Sequence, residues 1–304
     1  MKRRDFLKIG GGLFLVQTIQ GRHGRYKKMV MGGGPIPGGT LNPRTVAKFQ
    51  SSLQIPGVML AFGEIDLGDG KKADYYEISV RQFNQQVLPS PLPSTIVWGY
   101  GATGQPATFS YPALTIEATQ NKPVRVKWIN GLVDSQGNYL PHLLAVDQTL
   151  HWANPPGPSD SHSMNPSRYT GPVPIVSHLH GAHSGEESDG YPEAWYLPKA
   201  ANIPAGYSKS GHFYPTFKAK AEALYGQIWD EGSAVFQYPN DQRATSLWYH
   251  DHSLGMTRAN VYAGPVGFYL IRGGPDEFRG TLPGPAPKAG DPAGQTYLEI
   301  PIVI

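Results

Sequence analysis

Apolar and polar residues alternate in short runs along most of this chain, and helical spacing is scarce. Tyr76, Ile78 and Val80 alternate with polar neighbours, which predicts a half-buried strand from Tyr75 onward. Thr115 to Ala118 leads through Gln120-Asn121-Lys122-Pro123 into a second alternating run. There Val124, Val126 and Trp128 share one face, and Arg125 and Lys127 the other. Ala234 to Tyr238 and Thr245 to Tyr249 flank Pro239-Asn240-Asp241-Gln242-Arg243, a hairpin signal. Pro265 to Ile271 reads as a further buried strand. Only Ala219 to Gly226 and Leu254 to Tyr262 allow helical turns. The pattern predicts a loop-rich all-β protein with many turns.

Composition sharpens this. Glycine (37) and proline (29) fill more than a fifth of the 304 residues, and charged residues only 16%. Average domains carry about 25% charged residues, so a helical bundle or coiled coil is disfavoured. There is no cysteine. That excludes disulfides, zinc–thiolate sites, iron–sulfur clusters and a cysteine nucleophile within the chain. The net charge of +3 is unevenly placed. Residues 1–28 carry eight Lys/Arg against Asp5 alone, so this segment is +7 and the remainder −4. A mildly acidic body is a poor match to nucleic acid, so no nucleic-acid partner is expected.

The basic start has its own logic. Arg3-Arg4-Asp5-Phe6-Leu7-Lys8 precedes an apolar, glycine-rich stretch from Ile9 to Ile19. That stretch is shorter than the roughly 20 residues that span a bilayer. It resembles a twin-arginine export signal, which assigns residues 1–28 to a signal region and implies a periplasmic or secreted protein. No other segment is long and apolar enough to predict a membrane span. Residues 29–74 read as an irregular Gly/Pro-rich arm, 75–272 as the β domain, and 273–296 as a Gly/Pro linker. Residues 297–304 (Tyr297-Leu298-Glu299-Ile300-Pro301-Ile302-Val303-Ile304) read as the first strand of a second, truncated domain. An apolar strand with nothing to pair with would leave an exposed edge, so a continuation is expected.

Four of the ten histidines fall in two H-x-H units, His178-Leu179-His180 and His250-Asp251-His252. On an extended chain residues i and i+2 share a face, about 6.6 Å apart. If the two strands are neighbours, about 4.8 Å apart, four imidazoles converge. Clustered imidazolium ions would repel, and buried neutral rings need partners, so such convergence points to a metal. Imidazole suits copper, zinc, iron or nickel. A cupin also uses H-x-H on a β-sandwich. It needs a glutamate after three or four intervening residues, but Ser184 and Gly185 occupy those slots and Glu186 lies one beyond. Among the remaining histidines, His142, His151, His162, His183 and His212 are expected to be surface or hydrogen-bonded residues. Tyr191, Trp195, Trp248 and Tyr249 are expected to pack around the site.

Further residues surround the pairs. They are His178-Leu179-His180-Gly181, Ser188-Asp189-Gly190-Tyr191-Pro192-Glu193-Ala194-Trp195, Leu247-Trp248-Tyr249-His250-Asp251-His252 and Thr257-Arg258-Ala259-Asn260-Val261-Tyr262-Ala263-Gly264. With Trp98-Gly99-Tyr100 and Val126-Lys127-Trp128, they closely resemble the multicopper oxidases. The branch resembled is that of the spore-coat laccases and bilirubin oxidases, over Tyr75 to Ile304. The resemblance implies a cupredoxin-like Greek-key β-sandwich, a linker and the start of a second cupredoxin domain. These form the N-terminal part of a three-domain enzyme.

By that resemblance His178 is a ligand of the type 2 copper, and His180, His250 and His252 are ligands of the type 3 pair. This is half of a trinuclear cluster that reduces dioxygen to water. Type 1 copper needs a cysteine and is absent from this chain. It is expected in the missing cupredoxin domains of the same polypeptide, where a phenol, aromatic amine, tetrapyrrole or metal-ion reductant would deliver electrons. Asp189 matches an acidic position near the cluster, with proton relay as its implied role. It also reads as a turn residue before Gly190. Asp251 is expected to face away from its flanking histidines. An alternative is a stand-alone copper-binding module without oxidase activity. A two-domain enzyme sharing its cluster between subunits would need a type 1 cysteine in each chain, which the absence of cysteine opposes.

Overall fold

A computed structural model describes residues 41–302, except 69, 164, 166, 276, 278–284, 286–287, 289–290 and 293. The expected signal region lies outside the described residues, as do the first part of the arm, most of the linker, and Val303 and Ile304.

Among the described residues nine strands form two sheets. The first contains β1 (Gly63–Gly68), β2 (Lys71–Gln85), β3 (Thr95–Ala102), β5 (Val124–Asn130) and β7 (Ser233–Tyr238). Its order is β1-β2-β5-β7, with β3 on the far part of the long β2. The second contains β4 (Ala113–Thr119), β9 (Val266–Arg272), β8 (Thr245–Asp251) and β6 (Ser177–His180), in that order. β2 pairs parallel to β5 and β4 parallel to β9; the other ladders are antiparallel. The all-β architecture expected from the alternation is therefore present, with the two sheets that the family resemblance implied.

The alternation explains how the layers meet. In β5, Val124, Val126 and Trp128 are buried while Arg125 and Lys127 are half-exposed, which turns one face into the core. Tyr100, Trp128 and Tyr249 meet in the middle, with ring centroids 5.3–5.4 Å apart. Two of these rings come from the first sheet and one from the second. This aromatic contact holds the layers together and sits directly beneath the strand that carries the second histidine pair.

The expected hairpin between Ala234–Tyr238 and Thr245–Tyr249 does not form. β7 pairs with β5, whereas β8 pairs with β9 and β6, so the connection crosses from one sheet to the other. The six-residue link lacks a two-residue Asn-Gly type turn and is pinned as a corner instead. The buried Asn240 donates to the Lys122 carbonyl at 2.7 Å and accepts from the Tyr269 hydroxyl at 2.7 Å. Strand structure also begins inside the segment expected as an arm, because β1 and the start of β2 precede Tyr75. Acidic, lysine and glycine residues there dilute the apolar alternation. A parallel bridge from Val58 to Thr115 and the buried Met59 tie in still earlier residues.

Two helices were legible only as short turns: α1 (Tyr214–Tyr225) and α2 (Thr257–Ala263). Residues 297–302, expected as an opening strand, make no ladder. A strand needs an edge to pair with, and here the Leu298 and Glu299 amides donate to the Pro285 carbonyl instead.

Candidate metal centre

The site forms at one end of the second sheet. β6 and β8 are adjacent and antiparallel, with Ser177 opposite Asp251, His178 opposite His250, Leu179 opposite Tyr249 and His180 opposite Trp248. Alternation then sorts the side chains. Ser177, Leu179, Tyr249 and Asp251 turn into the core and are buried. His178, His180, Trp248 and His250 turn to the other face. His252 lies just past β8, where its amide donates to the Val176 carbonyl at 2.8 Å and prolongs the pairing by one bond.

Ligand atoms of His178, His180 and His250 all lie within 4.8 Å of one another, a group able to hold a metal ion. The centroid of His178 is 5.5 Å from those of His180 and His250, and His180 is 5.6 Å from His250. His252 stacks on His178 at 4.5 Å, although its ligand atoms fall outside the three-histidine group.

Hydrogen bonds fix which nitrogen each ring presents. His250 Nδ1 contacts its neighbour's carbonyl, Asp251 O, at 2.7 Å, and His252 Nδ1 contacts Gly190 O at 3.1 Å. His178 Nδ1 contacts Asp189 O. A carbonyl only accepts, so each Nδ1 carries the proton and each Nε2 keeps its lone pair. His180 Nδ1 faces His250 Nε2 at 3.4 Å, a spacing that one shared proton or one cation would satisfy. Burial, followed by the nearby His178, His252 and His180, pushes His250 down to about 4 against the pull of the Asp251 carbonyl bond. Burial and His178 also lower His252. These two rings are therefore neutral at physiological pH, as metal binding requires.

Asp189 ends the short 3-10 turn Glu186–Ser188. Its carboxylate is 42% exposed, with Oδ1 3.6 Å from His178 Nδ1 and 3.5 Å from the Ser184 hydroxyl. Its carbonyl makes the closer contact to His178. Gly190 follows at φ +78°, and a Cβ there would lie 2.1 Å from the Ser177 carbonyl oxygen. Only glycine brings this turn so near the strand.

The turn itself is clamped. The Glu187 side chain is 1% exposed, accepts from the Tyr225 hydroxyl at 3.1 Å and pairs with Lys220 Nζ at 3.2 Å, both on α1. Buried Ser188 accepts from the Gln237 amide at 3.0 Å. Neither anchor was apparent from sequence.

Asp251 does face away from its flanking histidines. It accepts from the Val176 amide (3.0 Å), the Ser253 hydroxyl (2.9 Å) and amide (3.1 Å), and Asn260 Nδ2 (2.7 Å). Burial raises it to about 6, partly offset by these bonds. Asn260 in turn accepts from buried His142 at 2.9 Å, the hydrogen-bonded role expected for that histidine. Trp248 stacks on His250 at 4.0 Å and on His180 at 5.2 Å. Beside it runs an open groove of about 920 Å³, lined by His250, Arg258, Tyr262, Val97 and Phe268 among others. No helix among the described residues is long and apolar enough to cross a membrane.

Fold and site together define a two-sheet β-sandwich with paired histidines at one sheet end. By sequence the chain is a homologue of the multicopper oxidases. It is 35% identical to the laccase of Bacillus subtilis (strain 168) over 239 residues, 79% of this chain and 36% of that protein. It is 32% identical to a laccase of Haloferax volcanii over 272 residues, 88% of this chain and 36% of that protein. It is 36% identical to multicopper oxidase LPR1 homolog 1 of Oryza sativa over 183 residues, 60% of this chain and 23% of that protein. The chain thus spans about a third of the length of the laccases it matches. No family model matches it. A solved multi-copper oxidase from Pediococcus acidilactici aligns at 16% identity with TM-score 0.44, covering 75% of this chain and 31% of that one.

Proposed function

We propose that this chain supplies one half of a trinuclear copper centre in an exported, laccase-like multicopper oxidase. The observation that carries the reading is the register of β6 against β8. It gathers His178, His180 and His250 within 4.8 Å of one another and stacks His252 on His178. The donor set fits copper: imidazoles with no carboxylate among the gathered ligand atoms, held on a rigid sheet. His178 is assigned to the type 2 ion, and His180, His250 and His252 to the type 3 pair. Four histidines cannot complete three coordination spheres, so further histidines come from other cupredoxin domains of the same polypeptide. The type 1 copper also resides there, because its thiolate ligand has no counterpart in this chain.

When bound, the coppers supply the four electrons that reduce dioxygen to two waters. A phenolic, tetrapyrrole or metal-ion reductant would supply those electrons through type 1 copper held by the rest of the polypeptide. The chain's own residues do the rest. The Asp251, Asp189 and Gly190 carbonyls hold three rings with Nε2 presented. Trp248 covers His250 and His180 on one side. The reaction consumes four protons. Asp189 is proposed to relay them, since its half-exposed carboxylate reaches both solvent and the edge of His178. The basic leader is proposed to direct twin-arginine export to the periplasm or beyond.

Copper content tests the reading directly. The 304-residue chain, loaded with Cu(II) and desalted, is expected to retain copper with a nitrogen-rich EPR spectrum. The H178A/H250A double variant is expected to lose the copper held at the cluster and to retain less than wild type. Equal copper in both would discard the proposal.

A further inference from the structure

A second pair of histidines lies outside this cluster, on the long excursion between β5 and β6. Trp152 and Ser161 form an isolated antiparallel bridge, with the Trp152 amide 3.4 Å from the Ser161 carbonyl and the Ser161 amide 3.1 Å from the Trp152 carbonyl. Because residues 152 and 161 exchange both bonds, their neighbours His151 and His162 form the next, non-hydrogen-bonded pair. That position brings opposed side chains closest together. Both histidines are exposed, and their rings lie 5.4 Å apart at 30°. The His178 ring stands 5.5 Å from each of His180 and His250, almost the same separation.

The tautomers are fixed here too. His151 Nε2 contacts Asp160 O, and His162 Nδ1 contacts Thr149 O at 3.2 Å. Carbonyls accept, so these nitrogens are protonated, and the lone pairs sit on His151 Nδ1 and His162 Nε2. Neither of those atoms has a partner among the described residues. The hairpin beneath is held rigidly. Asp160 stands at φ +56° with its carboxylate 4% exposed, accepting from Trp195 Nε1 at 2.6 Å and from the His212 amide at 3.0 Å. His212 Nδ1 adds a third bond at 2.5 Å. A ring pair with set tautomers on a braced hairpin loses little freedom on chelation.

We propose that His151 and His162 form a surface site for a divalent transition-metal ion, bound through His151 Nδ1 and His162 Nε2 with water in the remaining positions. Imidazole-only donors favour Cu(II), Ni(II) or Zn(II) over magnesium or calcium. This inference does not depend on the trinuclear reading.

Equilibrium dialysis of the full 304-residue chain against Cu(II) tests it, comparing wild type with H151Q, H162Q and the double variant. Wild type is expected to bind one equivalent more than the double variant, and each single variant to bind that equivalent at least tenfold more weakly. Both positions are exposed, so the metal-free melting temperatures should match. Cu(II) should also protect His151 and His162 together from diethyl pyrocarbonate. Equal copper equivalents in wild type and double variant, or modification of both rings unaffected by copper, overturns the site.

Discussion

Removing the Asp251 carboxylate should be the most costly single change near the cluster, and the structure says by how much. Asp251 is fully buried and accepts four hydrogen bonds, two on each oxygen. In Asp251→Ala the Ser253 hydroxyl can still donate to the Pro174 carbonyl at 3.1 Å. The Val176 and Ser253 amides and one Asn260 hydrogen have no such alternative. Each orphaned buried donor costs about 1–3 kcal/mol, and losing one partner of a buried charged network about 3–5 kcal/mol in all. That is a large share of the 5–15 kcal/mol by which domains are typically stable. In Asp251→Asn one acceptor oxygen remains. If the amide nitrogen takes the side facing Val176 and the Ser253 hydroxyl, the Val176 amide and the amide hydrogen that faces it are stranded. The cost then falls to about 1–3 kcal/mol. Urea unfolding should show lowered midpoints with an unchanged slope, the alanine variant shifting by roughly twice the asparagine variant or more. An alanine variant within 0.5 kcal/mol of wild type, on the scale of a neutral surface change, would refute the reasoning.

Three further outcomes follow from other contacts. His142 is buried and pushed down to about 4, chiefly by burial, so it folds as the neutral form. Between its unfolded value near 6.5 and about 4 the unfolded chain binds the extra proton. Stability contributed by the neutral ring is therefore full above pH 6.5 and lost as pH falls, by roughly 3 kcal/mol, and urea midpoints against pH should show a slope that His142→Gln removes. Glu187→Gln removes the ion pair with Lys220 while keeping the Tyr225 contact, and by loosening the Asp189–Gly190 turn should weaken copper binding about tenfold in a direct titration. Gly190→Ala puts a methyl group 2.1 Å from the Ser177 carbonyl oxygen at φ +78°; it should destabilise the fold by about 1–3 kcal/mol from backbone strain and reduce retained copper, both read on one purified sample.

Strand alternation is a local signal, and what rests on it was legible. Val124, Val126 and Trp128 point inward as their spacing required, and the two H-x-H units sit on neighbouring strands with His178 directly opposite His250. What depended on the third dimension was not. Residues 233–251 contain two good strands and a turn, but sequence does not say whether a turn folds back within a sheet or crosses to the other; Asn240 decides it through bonds to Lys122 and Tyr269. The same holds for Glu187. An acidic residue in a Gly/Ser-rich loop reads as solvated, and its burial depends on Lys220 and Tyr225, more than thirty residues downstream. Asp189 attracts notice for its carboxylate, whereas the main-chain oxygens of Asp189 and Gly190 make the closer contacts to the rings, and a carbonyl has no sequence signature at all.

Those carbonyls explain how the four imidazoles can gather without a metal between them. A carboxylate bonded to each imidazole would orient it equally well, but would place a negative charge in a site where His250 is already buried, at a desolvation cost of several kcal/mol per ion. A peptide carbonyl orients the ring without any charge. The chain uses it three times, from Asp251 within β8, from Asp189 and from Gly190. The buried carboxylate of Asp251 is turned to the far side of the strand and hydrogen-bonded by four donors there. The face that carries the Nε2 atoms is therefore a set of uncharged lone pairs on a braced sheet. Such a surface repels no incoming cation and needs little rearrangement to receive one. The elements that brace it, the Glu187 clamp and the Asp251 network, should accordingly govern metal affinity more than any change in the exposed groove beside Trp248.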